Sequence, residues 1–151
     1  MVQWSLLAAV IVVLIFIFVR HVRVLQGQAE LSTVKSTLQV LRMGLLIDHL
    51  QNSLTAGQSS VALRQRNPFD LLQQRPSNYL GEMSRAQAAL APGGSWVFDR
   101  DCVCVGYLPL DDHWFDSPSG DVMAWYAVNN APGPLRLTAK ESYVWQGGAM
   151  R

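Results

Sequence analysis

At 151 residues and a net charge near +1, the chain is long enough for one small domain plus an anchor, and its scattered Lys and Arg form no basic stripe for nucleic acid. Its two cysteines and three histidines lack the spacing of a zinc framework, and the chain has neither a Gly-rich phosphate loop nor a nucleophile elbow. These absences argue against catalysis, cofactors and a small-molecule substrate.

Met1 to Val19 holds no charged side chain, and Leu6 to Val19 is wholly apolar. As a helix, Met1 to Val19 would be about 28 Å long, close to the ~30 Å hydrocarbon core of a bilayer. Trp4 stands where an interfacial aromatic would stand, and Arg20, His21 and Arg23 close the other end. Residues 1–22 therefore read as a transmembrane anchor, with Trp4, Leu6, Leu7, Ala8, Ala9, Phe16 and Phe18 among its membrane residues. A cleaved signal peptide would carry basic residues before the run and a small-residue cleavage site after it. Here Met-Val-Gln precedes the run and Arg-His-Val-Arg follows it. Taken alone, the two arginines after the span would hold the bulk of the chain in the cytoplasm.

No proline interrupts the chain before Pro68, so the anchor is expected to continue into an amphipathic helix over residues 23–57. Leu31, Val34, Leu38, Leu41 and Leu45 follow alternating steps of three and four, which makes one apolar stripe. Leu46, Leu50 and Leu54 widen it, and Gln28, Glu30, Lys35, Gln39, Arg42 and Gln51 are placed opposite. The stripe serves either as the seam against the protein's own sheet or as a short coiled coil with a partner. Gly57 is a natural stop.

Residues 58–94 form a connection rich in Gln, Ser, Arg, Asn and Pro. Within it, Asn67-Pro68-Phe69-Asp70 reads as a helix start, with Phe69, Tyr79 and Leu80 as apolar pins. Residues 95–151 switch to period two. Strands are expected at 95–99, 102–108, 122–128, 135–139 and 142–145, separated by Pro- and Gly-containing turns. One long helix followed by four or five antiparallel strands gives an α+β fold.

Three groups invite a chemical reading. Cys102 and Cys104 lie two apart on an expected strand, where their Cα atoms would be about 6.5 to 7 Å apart, near the limit for a disulfide. Small buried hydrophobes, a kinked or intermolecular disulfide, and metal ligands all remain open for them. Asp111-Asp112-His113-Trp114 is the most polar cluster; a solvated loop explains it, and so would a metal site completed by Asp99, Asp101 or Asp121. His49 falls on the apolar side of the helix, as a half-buried histidine would. Trp125 and Tyr126 are neighbours on a strand, so one should face the core and the other outward, as a protein contact.

The order of parts resembles a type IV pilin or pseudopilin. Trp4-Ser5-Leu6-Leu7-Ala8-Ala9-Val10-Ile11-Val12-Val13 has the shape of that family's mature start, Phe-Thr-Leu-Ile-Glu-Leu followed by Val and Ile. Asn67-Pro68-Phe69-Asp70-Leu71-Leu72, Pro76-Ser77-Asn78-Tyr79-Leu80-Gly81-Glu82 and Pro92-Gly93-Gly94-Ser95-Trp96-Val97-Phe98-Asp99 look like the body of pilin-like proteins from mannose-sensitive haemagglutinin (MSHA) pilus clusters. The resemblance implies a pilin-like fold, a single-pass anchor in a bacterial inner membrane, a periplasmic head, and pilin-like or inner-membrane assembly proteins as partners. It covers nearly the whole chain, with two departures. Gln3 stands where a prepilin has the glycine before its cut, so the chain is expected to keep its first residues. Ala8 stands where assembling pilins carry a glutamate. The expectation is an anchored accessory protein that does not polymerise. The competing expectation is a tethered periplasmic enzyme or metal-binding domain using Asp111, Asp112 and His113.

Overall fold

From Val2 to Leu54 no proline breaks the backbone ladder, and in the computed structural model this whole stretch is one helix of 53 residues, α1. The structure describes residues 2–54, 66–129, 136–145 and 148–150. At the standard rise α1 is about 80 Å long. Its apolar first part is exposed, and it is the one helix among the described residues long and apolar enough to cross a membrane. Its second part lies on the head. Leu31, Val34, Leu38, Leu41 and Leu45 are buried there with Trp96, Phe98, Tyr107 and Tyr126. Leu46, Leu50 and Leu54 stay exposed. Each residue turns about 100° from the last, so Leu46 is already off the face that Leu45 presents to the sheet. Gly57 lies outside the described residues.

After α1, Asn67 caps a short 3₁₀ helix, Pro68–Leu71, accepting a 3.0 Å hydrogen bond from the Phe69 amide. Then come β1 (Tyr79–Glu82), a one-turn α2 (Arg85–Ala88), β2 (Ser95–Asp99) and β3 (Cys104–Leu108). A second 3₁₀ turn, Asp112–Trp114, leads to β4 (Phe115–Asp116). β5 (Ala124–Asn129), β6 (Arg136–Ala139), β7 (Tyr143–Trp145) and β8 (Gly148–Met150) follow. The main sheet has five strands in the order β1-β2-β3-β5-β6, and β4, β7 and β8 make a small three-stranded one.

The fold is α+β, but the main sheet is mixed rather than antiparallel. β1 pairs parallel with β2, Tyr79 opposite Trp96 and Glu82 opposite Phe98, while the other pairs are antiparallel. A parallel pair needs a crossover instead of a hairpin. Residues 83–94, with α2 inside them, supply it. Gly81, at a φ of 103°, sits where the β1–β2 register shifts.

This crossover also changes the fate of the adjacent aromatics. Both Trp125 and Tyr126 are buried, so neither is an outward contact. Tyr126 faces α1 in the main cluster. Trp125 faces the other side, where Ala88, Val97, Cys104 and Met123 cover it and Arg85 lies 5.2 Å from its ring centre. Gly106 is what lets that indole lie against the sheet: a Cβ there would come within 2.6 Å of Trp125. The two sheets are tied by Tyr143, whose hydroxyl accepts from the Trp125 amide at 2.8 Å and donates to the Trp125 carbonyl at 3.0 Å.

Cys102 and Cys104 are joined in a disulfide, with Cα atoms 5.2 Å apart. The expected strand starts at Cys104 rather than Cys102 because Val103 has a φ of 52°. A branched residue rarely adopts that left-handed backbone, and here it folds the chain back far enough to bring the two sulfurs together.

The seam makes a direct prediction. Leu38 is 2 % exposed, so Leu38→Ala should cost about 2 to 5 kcal/mol, and Leu38→Asp more. Thermal unfolding of the purified protein should show a large fall in melting temperature. An unchanged melting temperature for Leu38→Asp would mean the stripe faces outward.

Candidate functional site

Among the described residues, the most heavily bonded polar group between helix and head is one that periodicity placed on the solvent side. Glu30 is buried at 6 % exposure. Its carboxyl accepts from the Tyr107 hydroxyl at 2.8 Å, the Leu110 amide at 2.8 Å and the Trp114 indole N–H at 2.6 Å. A buried carboxyl is tolerated where donors surround it, and these three come from the segment that follows β3 and from the end of β3 itself. Burial first, then the hydrogen bond to Glu30, pushes the Tyr107 phenol well above its ordinary range. Gly27, one turn earlier, leaves room for Trp114: a Cβ there would lie 3.2 Å from the indole. The spacing Gly27, Glu30, Leu31, Val34 is itself one helix face, which is the signal that could have found Glu30. Arg42, also expected on the polar side, donates from Nε to the Leu137 carbonyl at 3.2 Å.

Glu30 thereby fixes the loop that carries Asp111, Asp112 and His113. The Asp111 carboxyl caps the Asp112–Trp114 turn, accepting from the His113 amide at 3.0 Å. His113 Nδ1 lies 2.7 Å from Asp111 and 2.8 Å from Asp112. One ligand atom from each of the three residues falls within 4.8 Å of the others. The hydrogen bond that the His113 ring donates to the Asp111 carboxylate raises the His113 pKa, helped by the charges of Asp111 and Asp112, and the hydrogen bond from the His113 backbone N–H lowers that of Asp111. The loop is open to solvent, so these groups interact as a surface cap and ion cluster.

The other candidate ligands are elsewhere. Cys104 pairs with Asp99 at the far end of β3 from Leu108, about 13 Å away along the strand. Asp99 and Asp101 line a shallow depression there with Glu82, Met83, Ser84, Gln87 and Arg100, and Arg100 is ion-paired with Glu82. Asp121 is held by Arg85 at 2.9 Å and by the Trp125 indole at 3.1 Å. The structure therefore does not bring the cysteines, Asp99, Asp101 or Asp121 to His113. In the anchor, Trp4, Leu7, Ala8, Ala9, Phe16 and Phe18 are exposed, and Leu6 lies in the same helix. His49 is half-buried.

Two outcomes check this geometry. Glu30→Ala leaves the buried Trp114 N–H and the Leu110 amide without an acceptor, a loss of roughly 2 to 4 kcal/mol, read as a lower melting temperature. For His113, a raised pKa means its pairing with Asp111 is full at low pH and is lost as pH rises through the raised value. An NMR titration of the ring should therefore give a midpoint above the ordinary 6.5, and Asp111→Asn should bring it down. Comparisons of this chain with protein-family models, with curated proteins and with solved structures found no match.

Proposed function

We propose that this chain is a non-enzymatic, membrane-anchored accessory component of type IV pilus biogenesis of the MSHA type, similar to the biogenesis protein MshF. It acts through contacts with pilin-like or inner-membrane assembly proteins, with its head in the periplasm, and uses no cofactor, nucleic acid or small-molecule substrate. The observation that carries the reading is the single helix Val2–Leu54, exposed and apolar at its start and seamed to an α+β head over its second half. An anchor that is continuous with the core helix of its head transmits position directly between membrane and head, which suits an assembly part. Ala8 puts no carboxyl in the apolar segment. A carboxyl within lipid is costly and is kept where it has a partner to pair with. Its absence favours an accessory over a filament subunit.

The second reading, a tethered periplasmic enzyme or metal-binding domain, is favoured by the convergence of Asp111, Asp112 and His113 within 4.8 Å. One experiment separates the two. Crosslinking in native membranes should capture a pilin-like or assembly-platform protein, and sheared filaments should contain little of this chain. An abundant signal along purified filaments would refute the accessory role. Failure to capture any partner, with loss of function on Asp112→Ala or His113→Ala, would favour the tethered domain.

A further inference from the structure

We propose that α1 pairs with α1 of a second copy of this chain as a parallel two-stranded coiled coil, along an exposed line distinct from the seam to the head. The line starts at Ala8 and advances in alternating steps of four and three residues to Leu54. Every residue it meets is apolar or small, except Gln26. Its last five members are Val40, Met43, Ile47, Leu50 and Leu54, and all five are exposed in the single chain. This is the spacing of a left-handed coiled coil, apolar from Ala8 to Val22 and again from Val40 to Leu54, with Gln26 and the small residues Ala29, Thr33 and Ser36 between. Thr33, within it, turns its hydroxyl back to the Ala29 carbonyl at 3.1 Å. Beside the line runs a groove whose other wall is Leu71 and Leu72; Gly44, with no side chain, forms its floor.

Four features select a second copy as the occupant. Val40 and Ile47 fall at the first core position of the repeat, and Met43 and Leu50 at the other. Branched residues at the first and Leu at the second favour two parallel strands. Gln26 is the one long polar side chain on the line. In a parallel pair of identical chains it meets its own counterpart, where one amide donates to the other, whereas an apolar partner would leave it without one. Positions flanking the line from Leu25 to Ser53 carry a single charged residue, Glu30, and the chain's own head covers it. No like charges therefore oppose self-association, and no charge selects a different partner. Finally, two copies crossing one membrane leave it in the same direction and at the same depth, which sets parallel orientation and register in advance. The pairing rests on α1 crossing a membrane and is independent of the assembly the protein serves.

The test uses the full-length protein in native membranes, with one added cysteine and mild oxidation. Ile47→Cys, on the line, should give a species of twice the chain mass. Lys35→Cys, exposed but off the line, should give about tenfold less, as should the unaltered chain. Equal crosslinking at both positions, or none at Ile47→Cys, would overturn the proposal. So would capture of a protein of different mass at Ile47→Cys. In detergent, Met43→Glu with Ile47→Glu should lower the dimer fraction about tenfold by burying opposed charges, with the melting temperature of the head unchanged because both residues are exposed. An undiminished dimer fraction would refute the line as the interface. Recovery of the chain in the soluble fraction would remove the anchor and, with it, the pairing.

Discussion

The segment that follows β3 is held to the long helix by one carboxyl group, that of Glu30. An apolar seam by itself fixes a helix against a sheet only loosely, since Leu and Val contacts are nearly indifferent to small rotations and slides. Glu30 removes that freedom. Its three donors come from a hydroxyl on β3, a backbone amide just beyond it and an indole on the following turn. All three can be satisfied at only one depth and one rotation of α1. Because Glu30 lies close beyond the apolar segment, the same contact sets where the Asp111–His113 loop stands relative to the helix as it enters the head.

The sheet supports this clamp by being covered on both sides. α1 covers one face with Leu and Val side chains, and the crossover between β1 and β2 covers the other. The second cover is thin, so it relies on close approach: Trp125 lies against Gly106, with Arg85 over its ring and Asp121 at its indole N–H. A side chain at position 106 would lift the indole and open that small core. Tyr143 then carries order from the main sheet into the small one by binding both backbone groups of Trp125.

How much of this could be read in the sequence follows from the range of each signal. The helix was legible because nothing breaks it, and the Leu31-to-Leu45 stripe because a five-residue repeat of threes and fours is unambiguous. β2 was legible to the residue from its Ser-Trp-Val-Phe-Asp alternation. β1 was not, since Tyr-Leu-Gly-Glu is short and its parallel partner begins well downstream; strand pairing across a crossover has no local signature. Missing β1 also meant missing the cover it brings, which is why one of Trp125 and Tyr126 was expected to face outward. Glu30 was misplaced because residue type outweighed position: a carboxylic acid beside an apolar stripe reads as solvated unless its donors, 77 to 84 residues away, are known. The cysteine pair was judged on extended geometry, and the backbone turn at Val103 cannot be foreseen from a branched residue that disfavours it.

A helix built this way divides its circumference among separate tasks. The face carrying Leu31, Val34, Glu30 and Leu41 belongs to the head and is closed. The charged residues Lys35 and Arg42 stand away from the line that ends in Ile47 and Leu54. Because Gly44 and the 3₁₀ segment around Leu71 leave a groove between head and helix rather than a wall, that line remains open along the length of the domain. Glu30 has then a second consequence: by fixing the rotation of α1 under its own head, it also fixes which residues are turned outward. A one-residue slip of the helix against the sheet would turn the whole helix by about 100° and carry the apolar line round from the outside toward one edge of the head. The buried carboxyl, placed by three donors on the inside, therefore defines the outer surface as well.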